Sequence, residues 1–127
     1  MAVTYDTTTK NNRLTAVRDR IDSGGAAGHI KIRDAGNVVL ADITLGYSGT
    51  STATISSGVM TFAGFPRSDT SADASGTAAN AIITASDGTT IVSGLTVGTS
   101  GTDIVLDTTS ITSGQTVTLN SAAITHA

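Results

Sequence analysis

The 127-residue chain has no cysteine and no tryptophan, its ten acidic residues are all aspartate, and its seven cations leave a net charge of −3. The missing cysteine excludes disulfides, thiolate nucleophiles and sulfur-ligated metals. Only Tyr5, Tyr47, Phe62 and Phe65 are aromatic, which excludes an aromatic-rich core and a sugar groove lined with stacking platforms.

A chain of this length folds most simply as one domain, residues 1–127, and buries about two thirds of its unfolded surface. Its core must come from Val, Ile, Leu and Ala and is expected to be thin, so that association adds to stability. Aspartate favours turns and caps where glutamate favours helices, and with abundant Thr, Ser and Gly this predicts strands and loops. No apolar run approaches the length of a membrane span, and no charged-then-apolar start directs export, so a soluble protein is expected. Charge is uneven along the chain. Lys10, Arg13, Arg18, Arg20, Lys31 and Arg33 fall within residues 1–33 with three aspartates, whereas the remainder sets seven aspartates against Arg67 alone.

Residues 1–9 read as an extended arm. A short helix is predicted over 10–22, because Leu14, Val17 and Ile21 share a face at i, i+3 and i+7. Thr8, Thr9 or Asn11 is the expected cap and Ser23-Gly24-Gly25 the expected stop. From His29 the period changes to two. HIKIR places Ile30 and Ile32 on one face, Asp34-Ala35-Gly36-Asn37 turns, and VVLADITL returns as the second arm of a hairpin. A Gly/Ser/Thr stretch with a short strand follows, then the strand VMTFAGF, ended by Pro66. Arg67 to Ala79 is the most polar, least periodic part and is expected to be a surface loop. NAIITAS and TTIVSGLTV flank Asp87-Gly88, the strongest hairpin signal, with Gly94 marking a bulge or close backbone contact. DIVLD and QTVTLNSAAITHA complete the chain, joined through Ser110 to Gly114. Seven or eight short strands at regular spacing predict an all-β fold. The expected architecture is a two-sheet antiparallel β-sandwich, jelly-roll-like, with one short N-terminal helix.

Chemistry is sparse. His29 and His126 are the only histidines, too few for the three or four ligands of a zinc site, so no metal is expected. No Gly-x-Ser-x-Gly elbow occurs. Asp69-Thr-Ser-Ala-Asp73-Ala-Ser-Gly76 offers oxygen ligands, but its spacing fails the twelve-residue calcium motif and no glutamate closes it. GGAAG lacks the lysine of a phosphate loop, so no cofactor is expected. The basic N-terminal third has no interleaved aromatics and the rest would repel phosphate, so nucleic acid is not expected either. These absences predict a protein that is not an enzyme. An Asp-pair glycosidase using Asp69 and Asp73 is the competing enzymatic reading.

The order of features resembles that of small capsid cement, or head decoration, proteins of tailed bacteriophages. The resemblance rests on an arm and helix (TTTKNNRLTAVRDRID), a Gly-rich break into a strand (GGAAGHIKIRD) and a Ser-Gly turn into a small-residue strand (SSGVMTFAG). It closes on IVLDTTSITSGQTVTLNSAAITHA, its only distinctive part, and the stretches Thr50 to Ser57 and Arg67 to Ala79 do not share in it. It implies a structural virion protein on the outer surface of an icosahedral head, bridging major capsid protein subunits and stabilising the shell. It implies no catalytic residues. The expected partners are the major capsid protein and further copies of the chain as a dimer or trimer. The expected capsid contacts are Tyr5, Lys10, Arg13, Arg18 and Arg20, the one basic, extended part of an acidic molecule. The alternative is a tail-fibre or baseplate adhesin domain that binds a host surface. After Arg67 the chain has neither cation nor proline to guard a strand edge, so at least one edge in that half is expected to be covered by a partner.

Overall fold

The computed structural model describes residues 4–21, 28–45, 53–62 and 67–125. Helix α1 spans Thr7–Ile21 and is followed by β1 His29–Arg33, β2 Val39–Thr44, β3 Ala53–Ser56 and β4 Val59–Phe62. Then come β5 Arg67–Asp69, β6 Gly76–Thr77, β7 Asn80–Thr84 and β8 Thr90–Gly98. The last strands are β9 Ile104–Leu106, β10 Ser110–Ile111 and β11 Val117–Thr125.

The helix buries Leu14 and Ile21 and half-buries Val17, the stripe its spacing predicts. It begins three residues earlier than expected. Asp6 Oδ1 accepts the Thr9 N–H at 2.7 Å, and Lys10 N–H donates to the Asp6 carbonyl at 3.0 Å. Asp6 is therefore the cap in place of Thr8, Thr9 or Asn11, and Thr7 to Thr9 of the expected arm are helical. The expected Ser23-Gly24-Gly25 stop lies outside the described residues, as do Pro66 and His126.

Nine strands form one sheet in the order β2-β1-β7-β8-β9-β11-β4-β3, with β5 also on β11, while β6 and β10 pair separately. The fold is mostly β with one helix, as the composition predicts. The main sheet is mixed where an antiparallel one is expected: β8 and β9 run parallel, Val97 opposite Ile104 and Gly98 opposite Val105. The Arg67–Ala79 stretch is not merely a loop, since it contributes β5 and β6 and buries Ala72 and Ala78.

Both predicted hairpins form. In the first, Ile30 and Ile32 are fully buried while His29, Lys31 and Arg33 stay half-exposed. The register shifts after Ile32, opposing Arg33 to Val39, so Leu40 is the extra residue of a bulge and both Leu40 and Ala41 enter the core. In the second, Gly88 adopts φ +90° and Thr89 N–H donates to Asp87 Oδ1. Gly94, at φ +76°, sits where the β7–β8 register slips between Ala81–Leu95 and Ile83–Val92, which is the predicted bulge.

The sheet curls because β11 bends. Its start (Val117 to Leu119) pairs with β5 and its end (Ala123 to Thr125) with β4, while Leu119 to Ala122 face β9 on the other side. The curl brings β5 round to β2, and Ile30, Ile32, Ile43, Met60, Ile83, Leu106 and Leu119 fill the interior. Each such side chain contributes roughly 1.5–3 kcal/mol by leaving water. Phe62 is the only aromatic among the described core residues, so the core is aliphatic as expected.

β8 and β11 each run nine residues, but β9 between them runs three. Below β9 the two long strands part. A parallel pair ordinarily needs a crossover of about a dozen residues or more, whereas here Thr99–Asp103 suffices, with Gly101 at φ +68°. Asp103 holds the fork. Its N–H donates to Thr96 Oγ1 at 3.0 Å, its Oδ2 accepts the Thr96 N–H at 3.1 Å, and its carbonyl accepts the Ala123 N–H at 3.0 Å. Helix α1 lies against β8 on one side and β3 and β4 on the other, and so covers the opening.

Replacing Asp103 by Ala removes one carboxylate bond at the fork and should cost about 1–2 kcal/mol, lowering the melting temperature by roughly 3–6 °C. Amide exchange should accelerate first at Thr96, and Asp103→Asn should recover most of the loss. Asp6 gives a pH test. The Thr9 hydroxyl and then the Thr9 N–H hold its carboxyl below the usual 3.8. A depressed folded-state pKa stabilises above the unfolded value and is lost as pH falls through the folded one. The melting-temperature difference between wild type and Asp6→Ala should therefore be full near pH ~6 and vanish toward pH ~2.

Candidate interaction surface

The five residues expected to meet a partner do not form one patch. Arg13 stacks over Tyr5, its guanidinium carbon 4.5 Å from the ring centroid, and both are exposed. Lys10 leans instead on the β3–β4 turn, where a Cβ at Gly58 would lie 3.2 Å from its Cδ. Beside it Asn11 Oδ1 accepts the Gly58 N–H at 2.9 Å, which fastens the start of α1 to that turn. Arg18 turns toward Asp19, Nε to Oδ1 3.7 Å, with about a quarter of its side chain exposed. Arg20 lines a groove against β8 with Ala16, Val17, Thr90 and Ile91. The helix thus delivers one cation, stacked on Tyr5, to solvent, lays Lys10 and Arg20 against β-elements, and turns Arg18 to Asp19 within the helix itself.

The two ends of the sheet differ sharply. At the β2 end, Asp69 Oδ2 accepts the Asp42 N–H at 2.9 Å and Asp73 N–H donates to the Leu40 carbonyl at 2.7 Å. Two outward backbone groups of β2 are thus satisfied from within the chain. The other Asp69 oxygen accepts the Ser71 N–H at 3.0 Å, so both carboxylate oxygens serve the backbone. At the opposite end β3 pairs only with β4 and has no strand beyond it among the described residues. Thr54 and Ser56 on it are exposed, and residues 43–66 contain no charge at all.

A third polar cluster escaped the sequence reading. His29 Nδ1 lies 2.8 Å from Asp42 Oδ1 and 3.5 Å from Thr44 Oγ1, while Arg33 Nε donates to Asn80 Oδ1 at 2.9 Å. The hairpin turn was the available signal, because it sets His29 opposite Thr44 and Lys31 opposite Asp42. Among the described residues no three His or Asp side chains gather as metal ligands, and no helix is long and apolar enough to cross a membrane. No protein-family model, curated protein or solved structure matches the chain.

If Asp69 seals the β2 edge, Asp69→Ala should destabilise by about 1–3 kcal/mol, since a charge-assisted bond is lost and a backbone donor is freed. Concentration-dependent association should appear with it, measured by sedimentation velocity. Asp69→Asn, which keeps an acceptor, should do neither to the same degree.

Proposed function

We propose that the chain is a structural virion protein, a capsid cement that binds the outside of a phage head and bridges major capsid protein subunits. The observation that carries this reading is the uncharged terminal strand β3, which has no strand beyond it among the described residues, at one end of a sheet whose other end is closed by Asp69 and Asp73. Soluble proteins blunt such edges with lysine, proline or inward charge, and β3 has none of these. A capsid subunit that lays a strand along β3 completes the ladder through backbone hydrogen bonds, with no special side chains required. Arg13 on the helix and Tyr5 just before it stand ready as a second contact. Tyr and Arg are favoured at binding hot spots because they join large area with a polar handle. The aliphatic core, the aspartates taken up by backbone groups and the absence of a ligand cluster among the described residues fit a protein that works by interface area.

The test is co-sedimentation with purified phage heads stripped of decoration. Binding at a fixed stoichiometry, with a rise in the temperature at which heads rupture, is the expected result. Thr54→Lys should reduce head binding at least tenfold while leaving the melting temperature within a degree or two, as an exposed substitution does. Binding to host cells or glycans with no affinity for heads would replace this reading with that of an adhesin.

A further inference from the structure

The fork in the sheet leaves a second unpaired edge, apart from β3. β8 keeps β7 beside it from Thr90 to Thr96, but on its other side the only strand among the described residues is β9, which reaches it at Val97 and Gly98. The Thr96 N–H on that side is taken by the Asp103 carboxylate. From Thr90 to Leu95 no strand flanks that side among the described residues. Across the opening stands α1, and Ala16, Val17 and Arg20 of the helix with Thr90 and Ile91 of β8 line a groove of ≈ 340 Å³. Its walls are apolar at Ala16, Val17 and Ile91 and cationic at Arg20, whose charge already acts on Asp87 at the neighbouring turn. Residues 88–102 carry no charge, so no lysine guards the β8 edge.

We propose that the groove between α1 and β8 receives an extended segment of a partner protein in which an apolar side chain and a carboxylate stand two residues apart. The backbone of the segment pairs with β8 between Thr90 and Leu95. Side chains at i and i+2 of a strand point the same way, roughly 6.5–7 Å apart. One enters between Val17 and Ile91 while the other reaches Arg20. A second copy of the chain is a poor donor of such a segment. The apolar-x-Asp triplets Val17–Asp19, Ile32–Asp34, Leu40–Asp42, Ala85–Asp87 and Val105–Asp107 all lie in α1, in strands of the sheet or in turns. For the partner's identity this rests on the cement reading, in which the segment belongs to the capsid subunit; for its chemistry it rests on the groove.

The experiment titrates the full-length, isotope-labelled protein with the peptide acetyl-Thr-Val-Thr-Asp-Thr-Val-Thr-amide and follows backbone amide shifts by NMR. Shifts confined to Ile91–Leu95 and to Ala16–Arg20 are expected. Placing Lys at the Asp position of the peptide should weaken binding about tenfold, as should Arg20→Gln in the protein. Ala16→Arg, at an exposed helical position, should abolish binding with the fold intact. The proposal is overturned by an absence of shifts to millimolar peptide, by equal binding of the lysine peptide, or by shifts elsewhere. It is also overturned if the protein alone forms a dimer that Ala16→Arg dissolves, since the occupant is then a second copy. Head binding that survives loss of the peptide site removes the groove and leaves the cement reading intact, whereas peptide binding without head binding does the reverse.

Discussion

Backbone N–H groups that no helix or strand satisfies are the constraint on which this fold turns, and the chain meets them with aspartate. Asp6 caps α1, Asp34 accepts the Gly36 and Val38 N–H groups of the first hairpin turn, and Asp87 accepts that of Thr89 in the second. Asp69 takes the outward Asp42 N–H, Asp103 takes that of Thr96, and Asp107 makes a longer bond of 3.4 Å to Thr118. The short aspartate side chain reaches a backbone donor a few residues away without losing much rotamer freedom, which is why turns and caps favour it over glutamate. The absence of glutamate thus has a structural meaning. These carboxylates are taken up one by one by backbone donors, and among the described residues no three His or Asp side chains gather as metal ligands.

The Asp103 fork shows how one such bond shapes everything around it. Because β9 stops after three residues, β8 and β11 diverge, and the opening has to be covered by something apolar. Helix α1 supplies this with Leu14, Val17 and Ile21 and no more, so it is a modest plug. Its fastening comes from polar contacts at its start, where Asn11 holds the Gly58 N–H and Lys10 lies over the same turn. This is the physical reason the basic residues of the first third do not act as one patch. Most of their positions on α1 are dictated by which side of the plug they occupy.

Local signals were legible and distant ones were not. The helical stripe, the alternation of HIKIR, the two hairpins and the Gly94 bulge all depend on residues within about ten positions of each other, and periodicity and turn chemistry report them. The parallel β8–β9 pair was hidden because its five-residue connection is far shorter than parallel pairing usually requires. The Arg67–Ala79 stretch read as loop because its role is remote: Asp69 reaches Asp42, 27 positions earlier, and no local pattern records that. At the candidate surface the missing lysines posed the question of a bare edge correctly. Which edge is bare follows only from strand order, and strand order depends on pairings such as Ala123 with Thr61. The cations of α1 were visible as residues, while their commitments to Gly58, Tyr5 and Asp19 required the fold.

The unequal ends of the sheet carry a consequence for assembly. A sheet with two bare edges can add partners at both, and head-to-tail pairing of that kind runs on into filaments unless a rotation closes it. Here the β2 end is sealed by Asp69 and Asp73 within the same chain, and the β8 opening is narrowed by α1. What remain are the groove-side edge of β8 and the four uncharged residues of β3, neither with a further strand beside it among the described residues. On the proposed cement reading, this arrangement limits strand pairing at the β2 end and leaves β3 to meet a lattice of fixed geometry. On that reading, sealing one edge is as necessary as leaving the other open.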